Sequence, residues 1–139
     1  MLYIAYGSNL NIKNMQKRCP MSKPILEIDG KKINFLYNWR LVFNKYANII
    51  PDKKSCVPIG LWSITSCCEK KLDEYEEFPN LYTKRYLKIY SQKALVYLMN
   101  KKSFKRPNKN YLFEIIQGYN DFNLDLQYLK KSLKNKLLF

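Results

Sequence analysis

The chain opens on a short apolar run, residues 2–6, which reads as a buried strand. It breaks at Tyr6-Gly7-Ser8-Asn9, and a helical pattern follows over residues 11–18, with Asn9 or Asn11 as cap and Pro20 as stop. Residues 25–29 and 31–37 flank Asp29-Gly30 and predict two strands, or one bent strand, around a turn. Residues 39–43 predict another strand. Residues 48–54, around Pro51-Asp52, predict a loop. Residues 56–64 predict a strand interrupted by Pro58 and Gly60.

In the second half, Ser66-Cys67-Cys68-Glu69 fits a capping box with Ser66 at the cap. The helix it starts runs to about Glu76, with Cys68, Leu72 and Tyr75 on one face. Pro79 forbids continuation and pushes Phe78 extended. Residues 82–90 and 93–99 predict a hairpin turning at Ser91-Gln92. Residues 100–110 form a basic loop. Leu112, Ile115, Ile116 and Tyr119 recur at helical spacing, as do Leu126, Leu129, Leu133 and Leu137. Both stripes predict core-facing helices. Strands in runs, with helices at the start, middle and end, argue for α+β rather than alternating βαβ. With no repeat or linker, residues 1–139 are expected to form a single domain.

Composition sharpens this picture. Aromatics are 15% of the 139 residues and mostly tyrosine, 12 against 7 Phe and 2 Trp. Tyrosines pack a core and also offer hydroxyls to a polar cavity. Histidine is absent, which eliminates Ser-His-Asp and Cys-His mechanisms and His-ligated metals. For an enzyme with this sequence working near neutral pH, the leading candidate for the proton carrier is a carboxylate with a raised pKa.

The net charge of +14 brings nucleic acid into consideration. The arginines, however, are only Arg18, Arg40, Arg85 and Arg106, and the lysines lie in scattered doublets. That pattern fits a solvated surface better than a reader of phosphates and bases. Cys19, Cys56, Cys67 and Cys68 match no zinc spacing, and the adjacent pair does not suggest a disulfide framework, so reduced thiols are expected. No metal is expected. No signal peptide or membrane span is apparent, and a cytoplasmic protein, monomer or homodimer, is expected.

Two places can carry chemistry. Glycine is scarce, 4 residues in all, and Gly7 stands between a strand and a helix. There it serves the backbone, letting a ligand approach free N–H groups suited to an anion or an oxyanion. The second place is residues 72–82, which hold Asp73, Glu74, Glu76 and Glu77. Glu76 lies at the helix end beside Tyr75. A carboxylate entering a partly apolar cavity there has a raised pKa; otherwise it is a terminal surface charge. Arg85 is expected on a strand surface.

Tyr6-Gly7-Ser8-Asn9-Leu10, followed downstream by Leu72-Asp73-x-x-Glu76, Pro79 and Tyr82, resembles the gamma-glutamylcyclotransferase-like superfamily. Trp39-Arg-Leu-Val-Phe43 and Val57-Pro-Ile-Gly-Leu-Trp62 are similar to strands of its small bacterial members. The likeness runs from Leu2 to about Met99. It implies a mostly antiparallel curved sheet or small barrel with flanking helices. It also implies a small gamma-glutamyl substrate and no cofactor. The activity implied is cleavage of a γ-glutamyl amide by the substrate's own α-amine, releasing 5-oxoproline. On that resemblance Glu76 is the catalytic acid–base. Tyr6, Gly7, Ser8, Asn9, Leu10 and Tyr82 bind substrate. The different-class alternative is a non-catalytic module that binds γ-glutamyl or other carboxylated ligands.

One position departs from the family. Where the family places a glycine after the catalytic Glu, this chain has Glu77. Its carboxylate either raises the pKa of Glu76 by repulsion or points to solvent. If the turn needs a positive φ there, Glu77 costs stability.

Overall fold

A computed structural model of the chain describes residues 1–134. The first strand, β1 (Leu2–Ala5), leads through Gly7 into a 3-10 turn (Ser8–Leu10) and then α1 (Ile12–Arg18). Asn11 caps α1, its Oδ1 accepting from the Asn14 N–H at 3.0 Å. Three short strands follow, β2 (Lys23–Ile25), β3 (Glu27–Ile28) and β4 (Lys31–Lys32). The last two pair across the Asp29-Gly30 turn, where both residues have positive φ, as a tight hairpin requires.

A long ribbon comes next, β5 (Phe35–Asn44) against β6 (Tyr46–Pro58). The loop expected at residues 48–54 is therefore a strand. Pro51 is tolerated because it is exposed and pairs with Trp39, beside the register shift between Tyr37 and Trp39. A bulge is one of the few places in a ladder that admits a residue without an N–H. Asn48, the other loop-like residue, is buried and its Oδ1 accepts from the Met99 N–H at 2.9 Å.

The chain continues through β7 (Gly60–Ser63), α2 (Ser66–Tyr75), β8 (Tyr82–Ile89) and β9 (Gln92–Met99), then α3 (Lys109–Asp121) and α4 (Leu126–Lys134). The main sheet has the order β2-β7-β1-β9-β8. Only β1 and β9 run parallel; the other neighbours are antiparallel. The α+β expectation holds, with one mixed sheet and two separate ribbons. Residues 94–97 of β9 are all buried, as the inner strand of a doubly covered sheet demands. Among the described residues no helix is long and apolar enough to cross a membrane. Leu137 lies outside the described residues; Leu129 of the same stripe is buried.

Two local expectations are corrected. Thr65, not Ser66, caps α2: its Oγ1 accepts from the Cys68 N–H at 3.1 Å. The thiols of Cys19 and Cys68 are not free but joined as a disulfide. Packing of the end of α1 against the start of α2 brings their Cα atoms to 5.2 Å, a span a disulfide bridges without backbone movement. Cys56 and Cys67 remain free.

The far end of α2 decides where Glu76 goes. The Glu77 N–H donates to the Glu74 carbonyl at 3.1 Å and the Phe78 N–H to the Asp73 carbonyl at 2.9 Å. This pair of bonds is a Schellman cap, whose residue after the cap takes the left-handed conformation. That residue is Glu77, at φ 52°. The position needs the geometry glycine supplies, and Glu77 adopts it against the clash of its own Cβ with the backbone.

Two stability predictions follow from the packing around these ends. Glu77→Gly relieves the left-handed strain but frees the unfolded chain, for a net gain of about 0.5–1 kcal/mol in urea unfolding. Gly118→Ala should do the reverse. A Cβ there would meet Leu10 Cβ at 2.5 Å and the Asn11 nitrogen at 2.7 Å. Those atoms belong to the 3-10 turn and the cap that follows it and cannot swing aside, so a loss of about 1–3 kcal/mol is expected by the same measurement.

Candidate active site

The 3-10 turn is a buried loop: Ser8 and Asn9 are 4% and 2% exposed. Buried backbone and amide groups need partners, and Asn9 finds them in three directions. Its Nδ2 donates to Tyr3 Oη at 3.0 Å, its Oδ1 accepts from Arg18 Nη1 at 2.7 Å, and its carbonyl accepts from Trp62 Nε1 at 3.0 Å. Ser8 Oγ and Tyr75 Oη share a hydrogen bond of 2.6 Å. The turn is thus fixed to β1, α1, β7 and α2 at once.

Gly7 is needed for close approach rather than for an unusual φ. An added Cβ would meet Ala47 Cβ at 3.0 Å and Tyr111 Oη at 3.3 Å. Its φ is −122°. The Leu10 N–H donates to the Gly7 carbonyl at 3.0 Å. Among the described residues nothing accepts from the N–H groups of Ser8 and Asn9, the first two of the turn, as expected at a helix start.

Above this turn lies a cavity of about 140 Å³. Gly7, Ser8 and Asn9 line it, together with Ala47, Glu76, Glu77, Leu81 and seven tyrosines, among them Tyr6, Tyr82 and Tyr97. The tyrosine richness of the chain is largely spent here. Most of these hydroxyls have fixed roles. Tyr6 donates to the Tyr97 carbonyl and Tyr82 to the Ala47 carbonyl, each at 2.6 Å. Tyr111 Oη accepts from the Ala47 N–H at 2.9 Å. Tyr97 donates to Asp73 Oδ1 at 2.6 Å, and Asp73 Oδ2 is 2.8 Å from Lys84 Nζ, which also reaches Glu69. Donating a proton leaves the hydroxyl oxygens of Tyr6, Tyr82 and Tyr97 free to accept.

Glu76 enters the cavity from the end of α2. The residue as a whole is half-buried, and it lies among the lining of the cavity. Burial pushes its pKa up to about 7, against an opposing pull from the Arg18 cation. Glu77 stands exposed at the rim and is not what raises Glu76. The phenols around it respond in kind. Burial first, and the Glu76 charge second, hold Tyr3 and Tyr6 well above their ordinary value. Burial does the same for Tyr82, Tyr97 and Tyr111. The cavity is therefore a neutral phenolic box around one carboxyl that ionises near neutrality.

Of the residues picked from the sequence, the structure brings Tyr6, Gly7, Ser8, Asn9, Glu76 and Tyr82 together around this space. Leu10 is the exception. Its side chain is fully buried against Gly60 and Gly118, and its N–H is taken by Gly7, so it packs the turn from behind and lines nothing. Arg85 is exposed on β8. Sequence reasoning passed over Arg18, Tyr3, Tyr75, Tyr97 and Tyr111. For Arg18 a signal existed: an arginine in a chain that otherwise spends lysine marks a place where the planar fork matters. Among the described residues no cluster of three or more His, Cys, Asp or Glu is arranged to hold a metal.

Comparison with known proteins gives the family and the fold. Residues 3–118 match the family model described as gamma-glutamyl cyclotransferase, AIG2-like. A solved structure named gamma-glutamyl cyclotransferase superposes with TM-score 0.80 at 22% identity, covering 100% of this chain and 90% of that one. An uncharacterized human protein does so with TM-score 0.78 at 22% identity, covering 99% and 90%. An uncharacterized protein from Pyrococcus horikoshii reaches TM-score 0.61 at 14% identity, covering 84% and 92%. A comparison with curated proteins finds no match. At such identities the structural likeness establishes the fold. The family match spans both the buried turn and the end of α2, and the chain belongs to the gamma-glutamyl cyclotransferase, AIG2-like family.

Proposed function

We propose that this protein is a γ-glutamyl cyclotransferase that uses Glu76 as its proton carrier. One observation carries the reading: a single carboxyl with a pKa of about 7, enclosed over a turn with unpartnered N–H groups. The family supplies the substrate class, a γ-glutamyl amide with a free α-ammonium and α-carboxylate.

The chemistry asks little else of the protein. Nucleophile and electrophile belong to one molecule, so the site has to hold the curled conformer and move protons. The α-nitrogen gives up two of its three protons and the leaving nitrogen gains two. Glu76 as carboxylate takes a proton from the α-ammonium. The freed amine adds to the γ-carbonyl, and the N–H groups of Ser8 and Asn9 stabilise the oxyanion that forms. Glu76 returns its proton to the leaving nitrogen as the amide C–N bond breaks, and by the same route it carries the second proton from the new ring nitrogen to the freed amine. The products are 5-oxoproline and an amine or amino acid. The phenol oxygens of Tyr6 and Tyr82, their own protons committed to carbonyls, accept from the α-ammonium and orient it. Ser8 is a poor nucleophile here, since its hydroxyl faces a tyrosine and no base.

A group whose pKa lies near the working pH serves both as base and as acid, which is the reason to bury it. Burial also has a cost in stability. The folded carboxyl holds its proton more tightly than the unfolded one. Stability therefore falls as pH rises from the ordinary Glu value of 4.5 through about 7, and the penalty is complete above that.

Two outcomes are expected. Glu76→Gln lowers kcat by roughly two to four orders of magnitude on γ-glutamyl dipeptides and amines, while Glu77→Gln costs much less. At pH above 8 the same Glu76→Gln protein is more stable than wild type by about 1–3 kcal/mol in urea unfolding, and the difference shrinks toward acid pH. Equal damage from both variants would remove Glu76 from the centre of the mechanism. Ligand binding with no turnover by wild type would instead make the protein a binding module.

A further inference from the structure

We propose that Arg18 is a positioning residue of this site, pinning the ligand-facing turn to the end of α2 and setting the electrostatics around Glu76. The inference rests on the cyclotransferase reading for its catalytic meaning, but not for its geometry.

Arg18 is the last residue of α1 and lies outside the cavity lining. Two contacts hold it. Nη1 donates to Asn9 Oδ1 at 2.7 Å, and the guanidinium carbon lies 3.6 Å from the centre of the Tyr75 ring. Asn9 belongs to the turn, and Tyr75 is the residue before Glu76. Tyr75 in turn shares its hydroxyl with Ser8. Arg18, Asn9, Ser8 and Tyr75 therefore bind the two motifs of the site into one rigid unit. Only a planar cation can stack on the ring with its face and donate with its edge. The next residue, Cys19, is tied to Cys68 of α2, so the helix end bearing Arg18 is anchored to the helix bearing Glu76.

The charge matters because the surroundings are otherwise neutral or acidic. β1 and the residue after it present Tyr3 and Tyr6 to Glu76, and β8, β9 and α3 present Tyr82, Tyr97 and Tyr111. All five are held neutral. From α3, Glu114 faces Tyr75 and Tyr111; from the end of α2, Glu77 stands at the rim. Among the described residues Arg18 is the cation that offsets the burial of Glu76. Without it a larger fraction of the carboxyl would be protonated at neutral pH, and less of it could accept the first proton.

The test separates charge from geometry. Protein labelled with 13C at glutamate carboxyls is titrated by NMR, with the Glu76 signal identified by its loss in Glu76→Gln. Arg18→Gln should raise the Glu76 midpoint by about one pH unit, whereas Arg18→Lys keeps the charge and should leave it nearly in place. In turnover, the acid limb of kcat/KM should move with the midpoint. Arg18→Gln then loses about fivefold at pH 7 and recovers near pH 9, whereas Arg18→Lys shows a raised KM without the pH shift. Wild type needs no variant: the Arg18 guanidinium resonance should follow the same midpoint as Glu76, since linkage is reciprocal. That measurement stands even if Arg18→Gln does not fold. An unmoved Glu76 midpoint in folded Arg18→Gln, or an Arg18 resonance indifferent to it, would overturn the proposal. If no γ-glutamyl compound is turned over, the cyclotransferase reading falls while the NMR result still decides the role of Arg18.

Discussion

A buried turn has to have its polar groups answered from inside the protein, and this requirement organises the molecule. The residues between β1 and α1 carry buried side-chain polar groups and the Asn9 carbonyl, and these are met by different elements. Tyr3 answers from β1, Arg18 from α1, Trp62 from β7 and Tyr75 from α2. Removing any of these would leave a buried group unpaired, at a cost of about 1–3 kcal/mol. The turn is consequently rigid before any ligand arrives, and its free N–H groups are already in place.

The second constraint is dielectric. Seven tyrosines around a carboxyl make a wall that is polar enough to orient a ligand yet stays uncharged. Lysine or arginine in their place would have stabilised the Glu76 carboxylate and returned it to the ordinary range. Phenols avoid this, and those of Tyr6 and Tyr82 direct their protons to carbonyls at the cavity edge. Histidine is absent from the sequence, and the phenolic enclosure gives a carboxyl the working range that an imidazole has unaided.

Much of this was legible in the sequence and the remainder was not, for identifiable reasons. The Tyr6–Asn9 turn, the helix ending near Glu76 and the strands at residues 82–99 follow from local patterns, and the structure contains them. The ribbon strand through Pro51 was missed because the bulge that admits a proline is set by the partner strand, opposite Trp39. The Cys19–Cys68 bond was missed because its halves are 49 residues apart and meet only when two helices pack. The family motif puts the Leu10 N–H on the ligand side; in the folded turn the Gly7 carbonyl takes that N–H, and the side chain is covered by Gly60 and Gly118. Glu77 is the instructive case. Its unusual position could be flagged from the motif, but the positive φ and the exposure of its side chain needed the Schellman cap to be seen.

The enclosed Glu76 gives the protein an unusual property as an object of measurement. In most proteins the interval between about pH 6 and 7.5 is crowded by imidazoles. Here histidine is absent, and the enclosed Glu76 carboxyl stands in that interval. Proton uptake or release on ligand binding in that interval, obtained from heats in buffers of different ionisation enthalpy, therefore reports on the charge of the Glu76 carboxyl. The protein acts as its own proton gauge, and the same calorimetry that measures affinity reports whether a ligand meets Glu76 as an acid or as a base.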